Sequence, residues 1–177
     1  LLMRRAAIAG EIRASKSGGQ IWRPSREAQV LRRLIDRHEG LFPRATLVHI
    51  WREIMSAMVR LQGEFAVAVY ATETDRSCRD LARDHFGAET PIALYSSQRA
   101  VLTAVQDGSA SVGVLPLPQD SEETPWWPLL AGMSGDRPTV SARLPFAPLA
   151  PGNGDSALCV SSIPAEQSGF DRSLFAI

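Results

Sequence analysis

At Gly63 to Phe65 the spacing of the apolar residues changes, and that change limits the chain to a helical part followed by a sheet-containing part. Up to Gln62 the apolar residues recur three and four apart: Leu47, Ile50, Trp51, Ile54, Met55, Met58 and Leu61 lie on one helical stripe. From Phe65 the run Phe65-Ala-Val-Ala-Val-Tyr70 is continuously apolar. Such a run suits a strand covered on both faces.

The first part divides into three helices. Residues 1–16 carry an imperfect helical pattern, and Ser17-Gly18-Gly19 stops it. Residues 23–38 form the second helix. Pro24 suits its first position, where no N–H is needed, and Glu27 suits the positive end of the helix dipole. Residues 45–62 form the third, ended by Gly63. Gln62 continues the apolar stripe of that helix, and a buried amide there needs a partner.

In the second part, the spacing predicts a helix over 75–86, a strand over 91–95, a helix over 97–107 and a strand over 111–115. Strands alternating with helices imply a parallel sheet with helices packed on it. Further on, a short helix over 122–130 is anchored by Trp126 and Trp127, whose simplest role is packing. Strands over 139–146 and 157–163 flank a Pro- and Gly-rich connection. The expected domains are therefore 1–63 and 64–177. The chain opens at Leu1 within a helical pattern and stops at Ile177 within an apolar run, so a truncated second domain is expected.

Composition narrows the function classes. Nineteen basic residues balance nineteen acidic ones, which removes the bulk electrostatic case for nucleic acid or an anionic membrane surface. Cys78 and Cys159 give neither metal-ligand spacing nor a disulfide framework, so a reducing cytoplasm is the default. No apolar run approaches the length of a membrane span.

One set of polar residues stands out. Arg5 and Lys16 are eleven residues apart, close to three helical turns, so they project from one face. Lys16 is the only lysine in the chain. Arg26 and Glu27 open the second helix and Gln62 closes the third. Fixed cations, one carboxylate and one amide, with no nucleophile beside them, suit electrostatic catalysis on a small dianion. The plain alternative is a set of solvated helix charges. Three helices of this length bury their faces poorly alone, so pairing with a second copy is expected.

The same residues carry a resemblance. Arg5 with Lys16, then Gly-Gly-x-Ile-Trp-Arg-Pro-Ser-Arg-Glu27, then Ile50-Trp-Arg-Glu-Ile-Met-Ser56 running to Gln62, resemble the all-helical class of chorismate mutases in the form fused to prephenate dehydratase in bacteria. The resemblance implies an interlocked helical homodimer acting on chorismate without a cofactor. It implies that Arg5 and Arg26 bind substrate carboxylates. Lys16 and Gln62 would contact the ether oxygen, where charge grows as the C–O bond breaks, and Glu27 would accept the substrate hydroxyl. Each site in such enzymes also borrows an arginine from the partner's first helix, at a position before Leu1. Two residues depart from the pattern. Arg23 stands where the family commonly has Asp, and Met58 stands near a position that is small and polar in some members; both would border the substrate.

The second part resembles the first lobe of prephenate dehydratase through Phe65–Tyr70, His85-Phe-Gly87, Val101-x-x-Ala-Val-x-Asp-Gly108 and Val112-Gly-Val-Leu-Pro-Leu-Pro118. Ala71-Thr-Glu-Thr-Asp-Arg-Ser77 replaces the family's Gly-Pro-Glu-Gly-Thr-Phe-Ser loop, Pro116-Leu-Pro-Gln-Asp-Ser121 replaces its Pro-x-Glu-Asn-Ser segment, and no Thr-Arg-Phe motif is present. Asp171-Arg-Ser-Leu-Phe175 resembles the start of an ACT-type domain. The expectation is an α + α/β protein: a three-helix chorismate mutase-type domain, then a small degenerate dehydratase-like domain. Its expected role is chorismate mutase in aromatic amino-acid biosynthesis, without dehydratase activity. The alternatives are a regulatory ligand-binding protein of the pathway and a working bifunctional enzyme.

Overall fold

The computed structural model describes residues 1–15, 20–119, 125–132, 138–146 and 156–173. Lys16, the Ser17-Gly18-Gly19 stop, the expected start of a helix at Glu122, the connection over 147–155 and the closing run over 174–177 lie outside them.

Three helices come first: α1 (Leu2–Ser15), α2 (Pro24–Asp36) and α3 (Arg44–Gln62). Pro24 opens α2 and Glu27 lies in its first turn, as the sequence pattern requires. Helix α1 packs along α3, and α2 packs on α3 as its neighbour in sequence. The chain entering α2 meets the chain leaving α3: Ile21 Cδ1 would lie 3.5 Å from a β-carbon placed on Gly63.

The second part contains β1 (Val67–Tyr70), α4 (Ser77–Phe86), β2 (Ile92–Tyr95), α5 (Gln98–Gln106), β3 (Val112–Pro116), α6 (Pro128–Gly132), β4 (Thr139–Leu144) and β5 (Ala157–Ser161). The sheet order is β2-β1-β3-β5-β4. Strands β2, β1 and β3 are parallel, with Val67 opposite both Ile92 and Val112. Strand β5 runs antiparallel to β3, and β4 antiparallel to β5. The expected parallel sheet therefore holds for three strands, and the C-terminal pair makes the whole sheet mixed. Helix α6 starts later than the expected residue 122, at Pro128, a residue suited to a first helical turn and not to an interior.

The sheet is covered on both faces, which explains the unbroken apolar run of β1. Val67, Val69, Val112 and Val114 face α4 and the three-helix part, together with Trp22, Val59, Phe65 and Phe86. Ala68, Leu115, Leu158 and Val160 face α5 and Trp126. Gly113 lets α5 approach β3 closely, since a β-carbon there would lie 2.7 Å from Val101 Cγ1 and 2.8 Å from Val160 Cγ2.

The two parts share one core. Trp22, buried just before α2, has its ring centroid 5.7 Å from that of Phe86 at the end of α4 and 6.3 Å from that of Phe65 at the entry to β1. After β5 the chain returns to α2. Ser25 Oγ donates to the Glu166 carbonyl at 2.6 Å, Gln29 Nε2 donates to the Gln167 carbonyl at 3.2 Å, and Arg32 donates to the Ser168 carbonyl.

Candidate functional site

The face of α3 that carries Arg52, Glu53, Ser56 and Arg60 meets the C-terminal end of α4. Residues three, four and eight apart share one side of a helix, so these four line up. Arg52 Nε donates to the His85 carbonyl at 2.8 Å, and Arg60 Nη1 donates to the Glu89 carbonyl at 3.1 Å. The end of a helix exposes carbonyls and carries the negative end of its dipole, so arginines suit it. Glu53 does the converse, accepting the Ala88 backbone N–H at 3.0 Å. Gly87 lies between them with φ +82° and ψ 162°, and a β-carbon there would lie 3.1 Å from Ser56 Cβ.

Arg52 also reaches across to α2. Its Nη1 donates to Glu27 Oε2 at 2.8 Å, and its guanidinium carbon lies 5.4 Å from the centroid of the Phe146 ring. Both side chains of the pair are largely buried. His85 is buried too, packed edge-on against Phe86 and Phe146, and its Nε2 has no hydrogen-bond partner among the described residues. Burial, and then the charge of Arg52, push its pKa well below the usual value. A pocket of about 490 Å³ opens beside this cluster between α2, α3, α4 and the end of β4; Arg52, His49, Asp84 and Phe146 line part of it.

Of the candidates, Glu27 is thus held by Arg52. Gln62 donates its amide to the Met58 carbonyl at 3.1 Å, so those two residues share the last turn of α3 and the amide has its partner. Arg5 is exposed on α1, with its guanidinium carbon 5.0 Å from the Trp51 ring centroid. Arg23 forms an ion pair with Glu166 at 2.9 Å and is half exposed. Arg26 is exposed at the start of α2. Lys16 lies outside the described residues. Of the candidates among the described residues, then, Glu27 meets Arg52, Gln62 meets the Met58 carbonyl and Arg23 meets Glu166, so the structure does not bring the candidates onto one another. Sequence reasoning missed Arg52, although it lies inside the Ile50–Ser56 stretch that carries the resemblance. The available signal was spacing: Arg52 lies four residues after Val48 and seven before Val59, on the side of α3 that the fold buries.

No helix among the described residues is long and apolar enough to cross a membrane. Among the same residues, no group of three or more His, Cys, Asp and Glu side chains is placed to hold a metal ion.

Comparison with known proteins agrees with the sequence pattern. The chain is 33% identical over 124 residues to a protein of Aquifex aeolicus named bifunctional chorismate mutase/prephenate dehydratase, covering 66% of this chain and 34% of that one. A protein of the same name from Neisseria gonorrhoeae is 33% identical over 87 residues, covering 49% of this chain and 24% of the relative. One from Stutzerimonas stutzeri is 27% identical over 129 residues, covering 69% and 35%. The chain thus spans between about a quarter and a third of the length of these curated relatives. No solved structure matches it. Residues 1–63, from α1 through the Gly63 stop of α3, match the family Chorismate mutase type II.

Proposed function

We propose that residues 1–63 form a chorismate mutase domain and residues 64–177 a dehydratase-like domain without dehydratase chemistry. The match of residues 1–63 to Chorismate mutase type II carries this reading. The reaction is an intramolecular rearrangement of a dianion, so it calls for fixed charges and no nucleophile or cofactor. Arg5 and Arg26 would take the two carboxylates, with Arg23 and Met58 at the border of the site. Lys16 and Gln62 would stabilise charge growing on the ether oxygen. Glu27 would accept the substrate hydroxyl. The meeting of Ile21 with Gly63 supports this grouping, since it sets the chain leading into α2 beside the end of α3.

The active form is proposed to be a homodimer in the cytoplasm, serving phenylalanine and tyrosine biosynthesis. Leu2, Met3 and Ile8 on α1 and Ile50 and Leu61 on α3 stay exposed in the single chain, which supports a second copy packed on these helices. A second reading, a regulatory ligand-binding protein of the same pathway, draws on the Arg23–Glu166 and Arg52–Glu27 pairs. Both occupy side chains that the first reading places at or beside the substrate.

The test is loss of chorismate absorbance, with prephenate and phenylpyruvate assayed in the same tube. Prephenate without phenylpyruvate is the expected result, and Lys16→Ala should lower turnover by about two orders of magnitude. Both products would restore the bifunctional reading, and neither product from a folded chain would favour the regulatory one.

A further inference from the structure

We infer that Arg52 is a positioning residue for Glu27, and that through it the C-terminal end of α4 shapes the mutase site. The inference rests on the proposed chorismate mutase reading. Three observations carry it. First, the carboxylate of Glu27 is bonded to Arg52 Nη1 at 2.8 Å, so the rotamer of Glu27 is tied to the position of that guanidinium. Second, Arg52 is itself fixed from the sheet-containing part: its Nε is spent on the His85 carbonyl at 2.8 Å and its guanidinium carbon lies over the Phe146 ring, 5.4 Å from the centroid. Third, Arg52 is buried, with 4% of its surface exposed, so it has little freedom to swing away.

A planar guanidinium can serve two acceptors in fixed directions, whereas an ammonium on a flexible stem cannot hold that geometry. The carboxylate of Glu27 therefore inherits its place from the end of α4, an element outside the helical part. A buried ion pair of this kind is weak as a source of stability and better suited to fixing one arrangement. Displacing a substrate-contacting group by about an ångström costs up to about a hundredfold in rate. The position of α4 thus becomes a determinant of mutase turnover, though nothing on α4 need touch the substrate.

The test is a double-mutant cycle on the full chain: wild type, Arg52→Gln, Glu27→Gln and the double variant, with kcat and KM for chorismate measured for each. Arg52→Gln is expected to lower kcat/KM by about tenfold or more, and by less than about threefold when Glu27→Gln is already present. Such non-additivity means that Arg52 acts through Glu27. Equal losses in both backgrounds, or no loss from Arg52→Gln, would overturn the inference while the mutase reading stood. If Arg52→Gln fails to fold, Arg52→Lys takes its place in the cycle with the same criterion. A folded wild-type chain without chorismate turnover would overturn the mutase reading, and the positioning role with it.

Discussion

Arg52 Nη1 and Glu27 Oε2 lie 2.8 Å apart, with side-chain exposures of 5% and 12%. The pair joins α2 to α3 at the point where α3 also meets α4. Taking away one partner of such a pair leaves a buried charge without compensation. Arg52→Met should therefore cost about 3 kcal/mol of stability. Glu27→Gln should cost less, because its amide oxygen still accepts from Nη1. Urea unfolding of the two variants checks the order; an Arg52→Met chain as stable as the parent would show that the pair contributes nothing net.

His85 sets a pH dependence. Its folded pKa is held well below 6.5, chiefly by burial and then by Arg52. Well above 6.5 the ring is neutral in both states and contributes nothing. As pH falls through 6.5, the unfolded chain takes up a proton that the folded chain does not. Stability is then lost, by at most about 1.4 kcal/mol per pH unit for one group, until the lower folded value is reached. Asp75, Asp107 and Asp171 have folded values below 3.8, so the stability they add is lost only as pH falls toward and below that value. Unfolding midpoints between pH 7 and pH 5 should decline in the parent and flatten in His85→Phe. Parallel slopes in the two chains would exclude His85 as the source.

Gly87 sits in a backbone region that side-chain-bearing residues rarely adopt, and a β-carbon there would lie 2.8 Å from Glu53 Oε2. That carboxylate cannot move aside without loosening its bond to the Ala88 N–H. Gly87→Ala should cost about 2 kcal/mol, of which the backbone conformation alone accounts for a large share. The melting temperature checks it, with Gly87→Val expected to fall further.

Both cysteines are buried, and burial raises the pKa of the Cys159 thiol far above its ordinary range. The thiolate is the reactive form, so the native chain should resist a thiol-specific reagent at pH 8. Two thiols should react once urea unfolds it. Rapid labelling of either cysteine in the native chain would contradict the buried positions.

The three helices and the parallel strands were legible because each rests on a local signal: a period of three to four ending at Gly63, then unbroken apolar runs punctuated by Gly, Pro and Asp. The late start of α6 was legible in principle, at Pro128. What the sequence could not show were the partners of polar groups. Glu27 reads as a first-turn acid, and only the fold brings Arg52 to it from 25 residues away. Arg23 stands where the family pattern has an acid, and its partner Glu166 is 143 residues further on. The mixed character of the sheet was hidden for a similar reason, since strand direction depends on the path between strands.

The bonds from α2 to residues 166–168 also set a schedule. Ser25 and Glu166 are 141 positions apart. At the usual pace of translation that separation is roughly ten seconds or more of synthesis. Through that interval Ser25, Gln29 and Arg32 have none of the acceptors they will later use. The outer side of α2 is then a bare ledge that water, or a neighbouring chain, can occupy first. Closure by the arriving segment must displace whatever has settled there.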